Sequence, residues 1–288
     1  MSTPKKTKNT PAFIAQLGLI LLLTGIAALP AHAASLSFRV EGKQVKAISQ
    51  EELLKALPAK TLATENISTA QPASYQGVGL VELLNLGFGP EWRRYDLVKF
   101  STSDGYAPLI PREAILAHHG LVAYGEAGKS VFTPFQRGQG ETVHPGPYWL
   151  VWDIPGDPAA KTDSWLSWPW QLATIELTRL DREFPRAAPP ADATEEANRG
   201  FTSFLQHCGK CHSINGEGGK IGPELNYPVS VTEYWQPEWL PRFIADPQSV
   251  RYGSKMVGFY PGVQNREAVI KDVVAYLKAM AKQKIEPR

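Results

Sequence analysis

Two cysteines and the histidine beside them form the part of this sequence best suited to chemistry. Cys208 and Cys211 are the only cysteines among 288 residues, and His212 follows directly in the stretch QHCGKCHSINGEGGKIGPEL. Thiols at this spacing can form a disulfide, ligate zinc, act as a redox dithiol, or bond covalently to a haem whose iron the adjacent histidine binds.

These four chemistries make different demands on the rest of the chain. Zinc needs further Cys or His ligands, and none follows His212. A thioredoxin-type dithiol lies in a βαβ unit, which the pattern here does not predict. A disulfide between residues three apart would remove little chain entropy. We therefore predict one covalent haem, bonded to Cys208 and Cys211, with His212 as the proximal iron ligand.

The N-terminus predicts export. Lys5, Lys6 and Lys8 precede an apolar stretch from Phe13 to Leu29, and Ala31 and Ala33 fit an A-x-A cleavage site. Residues 1–33 are therefore interpreted as a Sec-type signal peptide, which predicts a periplasmic protein. The membrane is expected as a partner only if this segment stays uncleaved as an anchor. No Arg-Arg pair precedes the apolar run, so export of an unfolded chain is expected.

The charge balance excludes some partners. After residue 33 the chain has 27 Lys and Arg against 28 Asp and Glu. This near-neutral balance predicts no nucleic-acid partner, since binding to phosphates needs a basic surface.

A proline-rich segment divides the chain. Alternating apolar residues and turn signals in residues 34–182 predict an α+β domain, a mixed sheet with short helices. Residues 183–193, which contain three prolines, are predicted to be an extended linker. Helical periodicity in residues 194–288 predicts an all-α domain, with Thr194 as the N-cap of its first helix.

The sequence after the cysteines resembles that of the class I cytochromes c. CGKCH is followed by GKIGPEL, then by EWLPRFIADPQSVRYGSKMVGF and REAVIKDVVAYLKAM, in the order typical of that family. The resemblance covers roughly residues 194–282. It implies that the Pro223 carbonyl orients the His212 ring, that Met256 is the distal iron ligand, and that Gly200 and Phe204 pack against Tyr276 and Leu277.

Met256 is also favoured by its local sequence. It lies in a loop between Gly253 and Gly258, whereas Met280 lies at helical spacing within the last helix and is expected in the core or on its flank. His207, a rival ligand, is adjacent to Cys208 on the proximal side and is interpreted as a surface or haem-edge residue. Histidine and methionine together saturate the iron, which favours electron transfer over substrate binding.

The N-terminal part resembles a second family. The segments YQGVGLVELLNLGF, VKFSTSDGYAPLIPREAIL, GLVAYGEAGK, HPGPYWLVWDIPG and WQLATIELTRL are similar to the molybdopterin-binding domain of the sulfite oxidase family. That family binds molybdenum through a cysteine, which this part lacks, and Trp149 stands where the family tends to have arginine. The resemblance therefore implies a degenerate domain without molybdopterin.

Local patterns in this part also carry structural predictions. Asp104-Gly105 between two apolar runs predicts a hairpin. VGLVELLNLGF and QEELLKAL predict helices, the first ending at Gly87, and PYWLVWDIP and WQLATIELTRL predict strands.

Several residues of this part can be interpreted as structural or functional. The histidines could bind a metal, although a pair of adjacent histidines is more often a solvated helix end. The aspartates could be catalytic, although aspartates in such loops more often form turns. The tryptophans line a pocket or a docking face or, as favoured, form an aromatic core. The residues are His118, His119 and His144; Asp153, Asp157 and Asp163; and Trp149, Trp152, Trp165, Trp168 and Trp170.

Two functions follow from this sequence. The first is a periplasmic electron carrier whose N-terminal domain docks a redox partner such as a dehydrogenase or oxidase; no catalytic residue is then expected. The second is an oxidoreductase whose N-terminal domain binds a small substrate, a metal or a molybdenum cofactor and passes electrons to the haem. The missing cysteine favours the first.

Overall fold

The computed structural model describes residues 1–3, 35–129, 131–137, 140–259 and 263–288. The apolar stretch interpreted as an export signal lies outside these residues. In the described part of the chain, no helix combines the length and apolar character needed to cross a membrane.

The N-terminal region, residues 35–182, contains two sheets. In chain order its strands are β1 (Ser35–Val40), β2 (Lys43–Ser49), β3 (Lys60–Asn66), β4 (Gln71–Gly79), β5 (Leu97–Thr102), β6 (Leu109–Pro111), β7 (Gly120–Glu126), β8 (Phe135–Arg137), β9 (Glu141–Val143), β10 (Trp149–Trp152) and β11 (Leu172–Thr178). One sheet has the order β2-β1-β11-β5-β6 and the other β10-β7-β4-β3, while β8 and β9 pair separately. Strands β1 and β11 run parallel. The predicted strands at PYWLVWDIP and WQLATIELTRL and the hairpin of β5 and β6 are confirmed.

Short helices lie between these strands and after the last of them, which makes the region a mixed α/β fold. They are α1 (Gln50–Ala56), α2 (Leu80–Phe88), α3 (Arg112–Ala117) and α4 (Leu180–Glu183), with 3₁₀ turns at Pro90–Arg94 and Pro158–Lys161. The predicted end of α2 at Gly87 is wrong. Gly87 lies inside the helix against the Phe38 ring, where a side chain would not fit, and Gly89, at φ +70°, follows the last helical residue.

Aromatic side chains fill much of this region. Trp149 and Trp152 are fully buried. The Trp149 ring stacks on Phe135 at 5.6 Å between centroids and meets Tyr75 edge to face at 5.2 Å. Its indole N–H donates to the Trp168 carbonyl at 3.1 Å. Such pairs stabilise a core beyond the area they bury, so the aromatic-core interpretation of the tryptophans is confirmed for these two.

The C-terminal region, residues 194–288, is helical with one small ribbon. Its helices are α5 (Glu195–His207), α6 (Val231–Tyr234), α7 (Trp239–Ala245), α8 (Pro247–Val250) and α9 (Arg266–Met280), and the ribbon pairs β12 (Ser213–Ile214) with β13 (Glu217–Gly218). The Thr194 hydroxyl accepts from the Ala197 N–H at 3.3 Å, so the predicted N-cap is confirmed.

Helices α5 and α9 cross at Gly200. A Cβ at this position would overlap the Asp272 carbonyl oxygen, so only glycine permits such a close approach of the two backbones. One turn later the Phe204 ring lies 5.3 Å from the Tyr276 ring. At the rim, Arg199 forms a bidentate ion pair with Asp272. The predicted packing of Gly200 and Phe204 against the last helix is therefore confirmed.

The two regions share a core, and Ala34–Arg288 forms one compact unit. Leu97 and Leu109, at the ends of β5 and β6, belong to the same buried cluster as α5 and α9. Phe184 and Ala187, in the segment predicted as an extended linker, are fully buried in this cluster. The Tyr276 hydroxyl donates to the Ala187 carbonyl at 2.7 Å. The start of the proline-rich segment is therefore packed rather than exposed.

Candidate functional site

The cysteine motif lies where α5 ends. Cys208 is the C-cap residue of this helix, and its carbonyl accepts from the N–H groups of Cys211 at 3.0 Å and His212 at 2.9 Å. This tight turn places both thiols and the imidazole within one loop. The thiols are not joined in a disulfide. Burial raises the pKa of Cys208 to about 12. It also raises the pKa of Cys211 above its ordinary value.

The His212 ring has a fixed orientation. Its Nδ1 lies 2.9 Å from the Pro223 carbonyl oxygen, to which Nδ1–H donates. Gly222 lies directly against this ring, since a Cβ there would overlap the imidazole. Burial lowers the pKa of His212, which favours the neutral ring at pH 7. A neutral imidazole that donates from Nδ1 has its Nε2 lone pair available for a metal ion.

Glu224 holds this loop together, a role that the sequence did not reveal. Its carboxylate accepts from the Ser213 hydroxyl at 2.6 Å and from the backbone N–H groups of Asn215 at 2.8 Å, Gly216 at 3.0 Å and Asn226 at 3.0 Å. Burial alone would raise the pKa of Glu224, but these hydrogen bonds outweigh it and hold the pKa below the ordinary value. The carboxylate therefore stabilises the loop most when it is ionised.

Replacing Glu224 with glutamine is expected to destabilise the protein by about 1–3 kcal/mol at pH 7, since charge-assisted hydrogen bonds are lost. A group whose pKa is lowered by folding stabilises above its unfolded pKa, and this stabilisation is lost as the pH falls through the folded pKa. The difference in the free energy of unfolding between wild type and E224Q should therefore decrease below about pH 4.5. Urea unfolding at pH 7 and pH 3 measures it, with the exposed Glu238 as a control in E238Q. The same difference in unfolding free energy at both pH values would contradict the stabilising role of the Glu224 carboxylate.

Met256 lies in a loop that returns to the cysteine motif. It is half-buried, and its N–H donates to the Ser254 hydroxyl at 3.3 Å. Phe259 closes the loop, because its N–H donates to the Ala245 carbonyl at 3.1 Å and its ring lies 4.6 Å from the His207 ring. The loop is thus anchored next to the end of α5. Met280, in contrast, is fully buried in the core, as predicted.

His207 is half-buried against Phe259, and burial, aided by Lys210, lowers its pKa to about 4. Its position next to the first cysteine, with its ring occupied by an aromatic contact, agrees with the interpretation of this residue as an edge residue.

Some candidate residues of the N-terminal region have local partners. His118 contacts Asp157 through Nδ1 at 2.5 Å and Asp163 through Nε2 at 3.2 Å. Asp153 accepts from the Gly156 N–H at 2.9 Å, as in a turn. His144 is exposed on a different segment. Among the residues that the structure describes, no group of three His, Cys, Asp or Glu side chains could hold a metal ion.

The helix crossing, the Cys-x-x-Cys-His turn and the oriented imidazole lie within one stretch of the C-terminal region. Residues 197–281 match the family model described as cytochrome c. A comparison with curated proteins finds no match. The chain therefore carries a C-terminal cytochrome c domain, its cofactor is one covalently attached haem c, and it has a haem-based role in electron transfer. The sulfite oxidase-like assignment of the N-terminal region stays a prediction.

The residues present fit this cofactor. Two unpaired thiols lie one turn apart, and the adjacent imidazole donates from Nδ1 and leaves Nε2 for iron. Ile221, two residues before the proline, and Val257, directly after the methionine, are 45% and 69% exposed and could be covered by an apolar macrocycle. When bound, haem supplies a one-electron Fe(III)/Fe(II) couple, while the chain holds it, orients the proximal ligand and limits access by water.

Proposed function

We propose that the protein is a periplasmic c-type cytochrome that carries single electrons. Cys208 and Cys211 bind the haem covalently, His212 and Met256 ligate the iron, and Pro223 orients His212. The observation that carries this proposal is the hydrogen bond from His212 Nδ1 to the Pro223 carbonyl at 2.9 Å, directly after two unpaired thiols. This contact fixes the ring tautomer that a proximal ligand requires.

The N-terminal region serves, in this proposal, as the docking module for a redox protein such as a dehydrogenase or oxidase. Two observations support it. This region has no cysteine with which to ligate molybdenum. It also packs directly on the cytochrome c domain through a shared core, so that a partner bound to it is held close to the haem. Export by residues 1–33, which agrees with cytochrome c chemistry outside the cytoplasm, completes the proposal.

A second function is favoured by one feature of the structure. A cavity of about 230 Å³ lies between the two regions and is lined in part by Lys99, Ser101, Glu183 and Lys220. Within it Lys99 forms an ion pair with Glu183 at 2.7 Å. Charged groups in a partly enclosed cavity can bind a small polar substrate. The protein would then be an oxidoreductase that passes electrons from this site, or from a metal or molybdenum cofactor, to the haem.

Elemental analysis of protein purified from its native host separates these functions. We expect one iron per chain and no molybdenum, copper or zinc, together with a haem that small molecules leave oxidised until a partner protein is added. A second metal at one per chain, or rapid haem reduction by a small polar molecule alone, would reject the electron-carrier proposal in favour of the oxidoreductase. Buffer from the same column serves as the control for adventitious metal.

A further inference from the structure

The N-terminal region contacts the loop that carries the cysteines. The turn between β5 and β6, residues 103–107, forms two backbone hydrogen bonds with this loop. The Ala107 N–H donates to the Lys210 carbonyl at 2.9 Å, between the two cysteines, and the Lys220 N–H donates to the Gly105 carbonyl at 3.0 Å. The turn is thus hydrogen-bonded to the loop at Lys210 and at Lys220, on either side of His212 in the chain.

Side chains extend this contact around Cys211. The Tyr106 hydroxyl lies close to Ser167, and burial raises the pKa of Tyr106 far above its usual value. Ser167, which is also buried, contacts Lys210 Nζ at 3.3 Å. The turn and Ser167 therefore lie against Lys210, the residue directly before the second cysteine.

We infer that residues 103–107 and Ser167 form a cover over the Cys211 edge of the haem, in which the Tyr106 ring excludes water, and that this cover raises the reduction potential. The inference rests on haem attachment at Cys211, as proposed above, and adds a role for the N-terminal region within the chain. In the couple Fe(III) + e⁻ → Fe(II), the oxidised haem carries one more positive charge. A dry, low-dielectric edge disfavours that charge, and therefore favours the reduced state.

The test compares Tyr106→Ala with Tyr106→Phe in the full-length protein with haem attached. Y106A removes the ring and lets water reach the edge, whereas Y106F keeps the ring and removes only the hydroxyl. In a buffer poised at the wild-type midpoint, the reduced-to-oxidised ratio of Y106A should fall about threefold, a shift of roughly 28 mV for a one-electron couple. Y106F should stay closer to wild type than Y106A. Equal ratios for all three proteins would overturn the cover.

Two further measurements separate the possible failures. Mass analysis of the haem peptide shows whether haem is bonded to Cys211; if it is not, the proposed attachment fails rather than the cover. Hydrogen exchange on the wild-type protein needs no variant and remains informative if Y106A does not fold. The amides of Ala107 and Lys220 should exchange slowly, as interdomain hydrogen bonds require. Rapid exchange of both would overturn the cover independently.

Discussion

Changing both Cys208 and Cys211 to serine is expected to reduce covalently bound haem from one per chain to none. A serine hydroxyl cannot form the thioether bonds, and these two residues are the only thiols of the chain. The measurement is the haem absorbance that stays with the polypeptide after denaturation and acid–acetone extraction. This variant should show none.

The single variants and one control sharpen this result. C208S and C211S each keep one thiol and should retain haem through one bond at reduced yield. His207→Ala changes the neighbour of the motif but none of its proposed bonds, and should keep full covalent haem. Covalent haem that persists in the double serine variant would contradict attachment at these residues.

Replacing Met256 with alanine should open the sixth coordination position of the iron. Methionine ligation raises the reduction potential, so its loss is expected to lower the potential by on the order of 100 mV, within the range of about 0.8 V that axial ligands span. The reduced variant should also bind carbon monoxide readily, whereas the wild type should not. Optical titration with carbon monoxide and a redox titration measure the two effects.

Met280 provides a matched control, because it is a methionine of the same domain but is fully buried in the core. Met280→Leu conserves volume and should cost less than about 1.5 kcal/mol of stability without change in potential or carbon monoxide binding. If M256A kept the wild-type potential and spectrum, another residue would be the distal ligand, and His207→Ala would be the next variant to titrate.

The local chemistry of this chain could be predicted from sequence because it depends on neighbouring residues. The Cys208–His212 motif, the Thr194 cap and the hairpin turn at Asp104-Gly105 are set by residue type and short spacing. The end of α2 was mispredicted for a long-range reason. The ring of Phe38, from a strand about fifty residues earlier, occupies the space beside Gly87, so this glycine serves packing inside the helix rather than its termination.

The parts that could not be predicted depend on contacts between distant segments. Glu224 resembles any surface glutamate in the sequence, and only the folded loop shows the donors that converge on its carboxylate. The hydrogen bond from the Ala107 N–H to the Lys210 carbonyl joins residues about one hundred positions apart. Because it uses backbone atoms only, no pattern of side chains in the sequence predicts it. The composition of the proline-rich segment likewise predicts a linker. In the structure, however, Ala187 of this segment is buried in the core, and its carbonyl accepts from the Tyr276 hydroxyl.

The buried cluster that Leu97 and Leu109 share with α5 and α9 limits the transfer of this cytochrome c domain from one protein to another during evolution. A gene fragment that encoded residues 194–288 alone would leave the apolar surface beneath these leucines, and beneath Phe184, exposed to water. The remaining fragment would lose the other side of the same cluster. Exchange of either part between genes therefore requires compensating changes at this surface, so the two parts are expected to evolve as one heritable unit rather than as interchangeable modules.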